Sequence, residues 1–187
     1  MINAYVKFKL DGETYEISLP SKNINEFFLT VGIYDKYKEE WAKHTSTICI
    51  DSNELDFSFS RRINLAELND YLFNFNELSQ KEQQLVKLIT KVNGNTFGAF
   101  CYAMNNYDDY TYFPATFTPE RAGVFILENV FKCHIADTRL RDAINLKKIA
   151  DEALMRALMY KVGDFFVINK ADMTQRFLMN GGFEDEK

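Results

Sequence analysis

Apolar and polar residues alternate in two early stretches, "AYVKFKL" at 4–10 and "TYEISL" at 14–19, separated by "DGE". A period of two fits strands with one buried face, and Asp-Gly is a turn signal, so the pattern predicts a β-hairpin that Pro20 and Ser21 end. In "NINEFFLTVGI", Asn23 stands three residues before Glu26, a capping-box spacing, and a short helix stopping near Gly32 is predicted. "STICI" reads as a third strand, and "NELDFSF" as a fourth or as an extended segment.

The pattern turns helical from residue 61 onward. Asn64 and Glu67 repeat the capping-box spacing ahead of "LAELNDYLFNF", where Leu65, Leu68, Leu72 and Phe75 share one face. Ser79 and Glu82 repeat it again before "QQLVKLITKV", with Leu85, Leu88, Ile89 and Val92 as the stripe. "NGN" at 93–95 is a turn and "TFGAFCYAM" a further short helix. Three short helices with tight links predict a small bundle.

Mixed signals return after residue 112. Thr118 caps a helix with Pro119 at its first position, Asn145 caps "LKKIADEALMRALMY", and "GDFFVINK" reads as a strand. No linker of low complexity and no repeat interrupts the chain. The expectation is an α+β protein in three small parts: an α/β part over 1–60, a helical bundle over 61–112 and a second α/β part over 113–187. One continuous sheet joining the two ends would contradict it.

One stretch resists this scheme. "NNYDDYTYFP" at 105–114 sets four aromatics around two adjacent carboxylates and closes on a proline, between two helical segments. It reads as a ligand loop, as a connector whose tyrosines pack at a domain junction, or as a surface offering acid and aromatic groups to a macromolecule.

Composition narrows the choice. Of 187 residues, 47% are hydrophobic, enough for a core, so disorder is expected only at the terminal "GGFEDEK". The formal charge of −5 excludes a nucleic-acid binder of the basic kind. Charge is uneven: −4 over 1–60, −1 over 61–112 and 0 over 113–187, so an acidic face must come from arrangement in space. Cys49, Cys101 and Cys133 are odd in number and far apart, with no signal peptide at the start, and read as reduced thiols of a cytoplasmic protein. Apolar runs such as "AGVFIL" are too short to span a bilayer.

Catalytic chemistry finds little material. His44 and His134 are the only histidines, and the adjacent Cys133–His134 pair is poorly spaced to chelate one metal. No HExxH, phosphate-binding loop or nucleophile elbow is present. Asp108 and Asp109 are neighbours whose side chains diverge, which does not make a shared-proton dyad. The expectation is a protein that is not an enzyme and uses no cofactor or metal.

The order of motifs resembles the ArdA antirestriction proteins of conjugative plasmids and transposons, over roughly residues 30 to 170. "YDKYKEEW" at 34–41 opens the match, and "INLAELNDYLFNFNELSQKEQQLVKLI" at 63–89 is its most specific part, similar to the family's helix pair. "AFCYAMNNYDDYTYFP" at 99–114 is similar to the family's helix and its tyrosine- and acid-rich exit, and "TPERAGVFILENV" looks like its next helix, with Gly123 where a glycine often stands. "KIADEALMRAL" at 148–158 falls where the family has a "YIDYEAYGRDL"-like motif. Ile149, Glu152, Ala153, Arg156 and Leu158 fit it; Ala150, Asp151, Leu154, Met155 and Ala157 depart from it.

The resemblance implies three small domains in an elongated, curved homodimer that imitates the charge and bend of DNA and occupies the DNA channel of a type I restriction–modification enzyme, binding no nucleic acid itself. Charge and position, not a family site, nominate the phosphate surrogates: Asp108, Asp109 and Glu120, continued by Glu128, Asp137 and Asp142. Ile149, Leu154, Leu158 and Met159 are the candidates for the dimer interface, against the plainer reading of an ordinary core-facing helix. Two other functions stay open. One is an inhibitor of another nucleic-acid-binding defence, such as a CRISPR effector nuclease, which weak net charge and aromatic anchors would suit. The other is a structural or regulatory module without a defence role.

Overall fold

Strands β1 (Ala4–Leu10) and β2 (Glu13–Leu19) pair antiparallel with Ala4 opposite Leu19, the hairpin that the alternation predicts. In this computed structural model, residues 4–10, 13–30, 45–52, 64–134, 136 and 143–179 are described. The predictions for "NELDFSF", for the "YDKYKEEW" motif and for the terminal "GGFEDEK" lie outside them, as do Asp137 and Asp142. Strand β3 (Thr45–Ser52) adds to the free side of β1, giving an antiparallel sheet of order β2-β1-β3. Helix α1 (Ile24–Thr30) follows the hairpin and buries Ile24 and Phe28.

The next three helices are α2 (Leu65–Glu77), α3 (Gln80–Val92) and α4 (Phe97–Asn106). The N-caps of α2 and α3 are the ones read from sequence. Asn64 Oδ1 accepts from the N–H groups of Ala66 and Glu67. Ser79 and Glu82 close a full capping box, each side chain accepting from the other's backbone N–H at 3.3 and 2.8 Å. Leu65, Leu68, Leu72 and Phe75 of α2 are buried, as are Leu85, Leu88 and Ile89 of α3, and Phe97 and Phe100 of α4 complete the interior. Burying each such side chain is worth about 1.5–3 kcal/mol. Two polar residues are buried with them: Thr90 of α3, whose hydroxyl donates to the Val86 carbonyl at 2.7 Å, and Asn69, whose Oδ1 accepts from the Ser21 N–H at 2.7 Å and so ties α2 to the segment after β2.

These elements form one compact unit, Met1–Asn105; the second is Asn106–Lys187. The second holds β4 (Tyr110–Pro114), α5 (Pro119–Asn129), α6 (Leu146–Met155), β5 (Met159–Val162), β6 (Phe165–Asn169) and α7 (Lys170–Met179). Its sheet is antiparallel in the order β4-β6-β5, so among the described residues no sheet joins the two ends of the chain. The protein is of mixed helix and sheet, an α+β arrangement with two small antiparallel sheets. No helix among the described residues is long and apolar enough to cross a membrane.

The second core gathers Phe113, Ala122, Ile126, Ile149, Ala150, Ala153, Leu158, Met159 and Ile168. Helices α5 and α6 approach closely at Gly123, where an added Cβ would lie 2.1 Å from the Leu146 carbonyl oxygen. Gly123 therefore supplies room, not a special backbone conformation.

Three elements differ from the sequence reading. "NNYDDYTYFP" spans the boundary between the two units and is not a plain loop: α4 ends in it, Tyr107–Asp109 make one 3-10 turn, and Tyr110–Pro114 are β4, paired to β6 from Tyr110–Asn169 to Pro114–Phe165. The helix expected over 146–160 stops at Met155, and Met159–Val162 form β5 instead. Helix α7 was not anticipated, although Asn169 caps it by accepting from the Asp172 N–H at 3.0 Å.

The early stop of α6 is a Schellman turn. Leu158 N–H donates to Ala153 O at 2.9 Å and Ala157 N–H to Leu154 O at 3.1 Å, with Ala157 at φ 53°. A non-glycine residue in the left-handed region is disfavoured by roughly 1–2 kcal/mol. Ala157→Gly is therefore expected to stabilise the second unit by about 1 kcal/mol, less the extra entropy glycine gives the unfolded chain. Amide exchange in α6 would report the gain, and a loss of protection would refute the turn geometry.

Candidate partner-binding surface

Asp108 and Asp109 are both exposed and sit in the single 3-10 turn between α4 and β4. Successive residues of a 3-10 turn point about 120° apart, so the two carboxylates diverge. The turn is held at its C-terminal side: Tyr110 N–H donates to the Tyr107 carbonyl, and Tyr110 enters the β4–β6 ladder. Two aromatics of the run pack within the second unit. Phe113 lies 5.5 Å from Phe117, 5.0 Å from Phe125 and 5.5 Å from Phe166, and Tyr112 meets the Phe165 edge at 5.4 Å.

Glu120 stands in the first turn of α5, exposed, behind the N-cap Thr118. Its own backbone N–H and the Thr118 hydroxyl hold its carboxyl below the usual glutamate range, and Lys147 adds to the effect. A carboxylate at a helix N-terminus faces the positive end of the dipole. Glu120 therefore keeps its charge as pH falls further than an ordinary glutamate does.

Glu128 fits the set less well. It is half-buried, and its Oε1 lies 3.6 Å from His134 Nδ1. Asp137 and Asp142 lie outside the described residues. The acidic candidates that the structure places are thus Asp108, Asp109 and Glu120, all carried by the second unit. That unit holds thirteen acids and eleven bases, net −2.

The dimer candidates divide. Ile149, Leu158 and Met159 are 2%, 3% and 8% exposed and belong to the unit's own core, so they are withdrawn from any interface; the core-facing reading of the helix describes them. Leu154 is 54% exposed, and Met155, which the pattern did not single out, is 77% exposed.

Beside them runs an open cleft of about 590 Å³ along α6, lined by Asn145, Lys147, Lys148, Asp151, Glu152 and Met155, with Arg156 at its end. Glu152 Oε2 is buried and accepts no hydrogen bond; Arg156 Nη2 is 3.4 Å from it, near enough for charge attraction but out of line for a hydrogen bond. Sequence reasoning passed over this stripe because its charges cancel in the regional sum.

Groups for covalent or metal chemistry do not assemble. Burial, helped by the Glu67 charge, pushes the half-buried Cys101 thiol up to about 12, which keeps it protonated and unreactive. Cys133 and His134 are exposed neighbours. Among the described residues no group of three or more His, Cys, Asp or Glu side chains is placed to hold a metal ion.

No family model and no curated protein matches this chain.

Proposed function

We propose that the protein is a non-catalytic antirestriction inhibitor of the ArdA type, a DNA mimic that competes with DNA for the channel of a type I restriction–modification enzyme. The observation that carries the reading is the Asp108–Asp109 pair, exposed on the turn that leads into β4, with the ionised Glu120 at the start of the next helix. Duplex DNA carries about one negative charge per 1.7 Å of axis. Substitutes for phosphates must therefore be closely spaced, and they must be fixed in advance, because mobile acids lose entropy on binding. Aspartates on a turn anchored by β4 meet the second requirement, and Glu120 adds a further fixed charge. The reading brings with it the three-part organisation over 1–60, 61–112 and 113–187, in an elongated, curved chain that acts in the cytoplasm.

Charge complementarity of this kind speeds encounter and makes association salt-sensitive. Exposed pairs are weak singly, so the cluster is the unit to test. The triple variant Asp108→Lys, Asp109→Lys, Glu120→Lys is expected to weaken inhibition by about tenfold or more and to flatten its salt dependence. The control reverses the exposed Glu26, Asp70 and Glu77; Glu13 and Glu16 are avoided because Tyr15 binds the first carboxylate and Tyr5 and Lys7 the second. Circular dichroism confirms folding of both. Equal inhibition by the two variants would reduce the turn to a packed connector. Failure of excess DNA to displace the inhibitor would refute mimicry. Parallel assays on a CRISPR effector complex decide whether another nucleic-acid-binding defence is the target, and no binding to either leaves the structural-module reading.

A further inference from the structure

We infer that Asn93–Gly94 is a fold-gated deamidation site: the closed end of α3 keeps Asn93 an amide, and opening of that end converts it irreversibly to an acid. This goes beyond the inhibitor reading and does not depend on it. The "NGN" turn at 93–95 follows α3 directly and leads toward α4. Asn93 and Gly94 are both exposed, so water reaches them.

The chemistry belongs to the pair. The Gly94 backbone nitrogen attacks Asn93 Cγ and gives up its proton. The Cγ–Nδ2 bond breaks, ammonia leaves, and a five-membered succinimide closes. Water then opens the ring at one carbonyl to give aspartate, or at the other to give isoaspartate. One water is consumed and one ammonia released, with no change of oxidation state. Glycine suits the second position because no Cβ crowds its nitrogen.

The fold holds the reacting groups apart. Asn93 is the C-cap of α3, and its ψ of 22° turns the Gly94 nitrogen away from Cβ. Ring closure needs Cβ and that nitrogen on the same side of the Cα–C bond. Asn93 Nδ2 donates to the Ile89 carbonyl at 2.9 Å, and Gly94 N–H donates to the Lys91 carbonyl at 3.3 Å. Both bonds must break before the nitrogen reaches Cγ. The same bonds make the consequence one-way. A carboxylate at position 93 cannot donate to Ile89 O, and it sets negative charge at the negative end of the helix dipole. Isoaspartate also lengthens the backbone of a turn that Asn95 N–H closes on Thr90 O at 2.9 Å. Once converted, the last turn of α3 closes less well over the buried Leu88 and Ile89.

The test follows the full chain in buffer and in guanidinium chloride at one pH. Peptide mass spectrometry locates the change of amide to acid and tells isoaspartate from aspartate. Conversion at Asn93 should run about tenfold or more slower in buffer than in denaturant, since it waits on local opening. Lys91→Gly, at an exposed position of the last helical turn, should speed conversion in buffer about fivefold and leave the rate in denaturant unchanged. Asn93→Asp, which carries one of the products, should speed amide exchange in the last turn of α3 about threefold or more. Equal rates in buffer and denaturant overturn the gate, and so does a Lys91→Gly chain that converts no faster than the wild type. No acid at Asn93 in denaturant overturns the site. Exchange in Asn93→Asp equal to that of the wild type overturns the one-way consequence. None of these readouts involves inhibition, so their failure is separate from a failure of the inhibitor reading.

Discussion

Gly123→Ala is expected to destabilise the second unit by about 3 kcal/mol. The new methyl carbon would lie 2.1 Å from Leu146 O, 2.7 Å from its carbonyl carbon and 3.0 Å from its Cα. All three are backbone atoms, so no side chain can turn aside, and α5 and α6 must separate. Separation loosens the contact of Ala122 and Ile126 with Ile149, Ala150 and Ala153 across the core. The control is the same substitution at Gly98, exposed in α4, where the nearest heavy atom to an added Cβ is Thr96 Oγ1 at 3.9 Å. There alanine should gain about 0.5–1 kcal/mol from helix propensity alone. Amide exchange followed in α5 and α6 reads the second unit separately from the first. A cost at Gly123 under about 1 kcal/mol would mean that the two helices do not approach as described.

Phe113→Ala should cost about 3–5 kcal/mol, the range for deleting a buried aromatic ring. Phe113 is 2% exposed, at the centre of the rings of Phe117, Phe125 and Phe166. Its removal takes away the transfer energy of the ring, leaves a cavity, and ends three aromatic contacts at once. The neighbouring Tyr112→Ala should cost far less, since Tyr112 is half-buried and its recorded ring contact is with Phe165. Unfolding midpoints of the two variants give the comparison. Equal losses would show that β4 presents its residues to the core differently.

Signals that are local in the chain were legible before the fold was known. Asn64, Ser79, Thr118 and Asn145 all cap the helices assigned to them, because a cap needs only its own next three residues. Elements defined by distant partners were not. Tyr110–Pro114 shows no alternation and becomes a strand only because residues 165–169 pair with it. The stop of α6 carries no glycine; Ala157 takes the left-handed conformation, and "ALMY" prolongs the apolar pattern across the break.

The same division runs through the candidate surface. Exposure of Asp108 and Asp109 could be read from adjacent charges that no single face can bury. The fate of Ile149, Leu158 and Met159 could not, because an apolar stripe looks the same whether it faces its own sheet or another molecule.

The β4–β6 pairing also bears on synthesis. Tyr110 lies opposite Asn169, so the first strand of the second unit waits for its central partner until nearly the last of the described chain has been made. Helices α2, α3 and α4 need only near neighbours and can form while the chain is still growing. Until β6 emerges from the ribosome, the aromatic face around Phe113 has no sheet to cover it. That interval exposes the nascent chain to aggregation and to chaperone capture, and slowing translation before Phe165 would lengthen it.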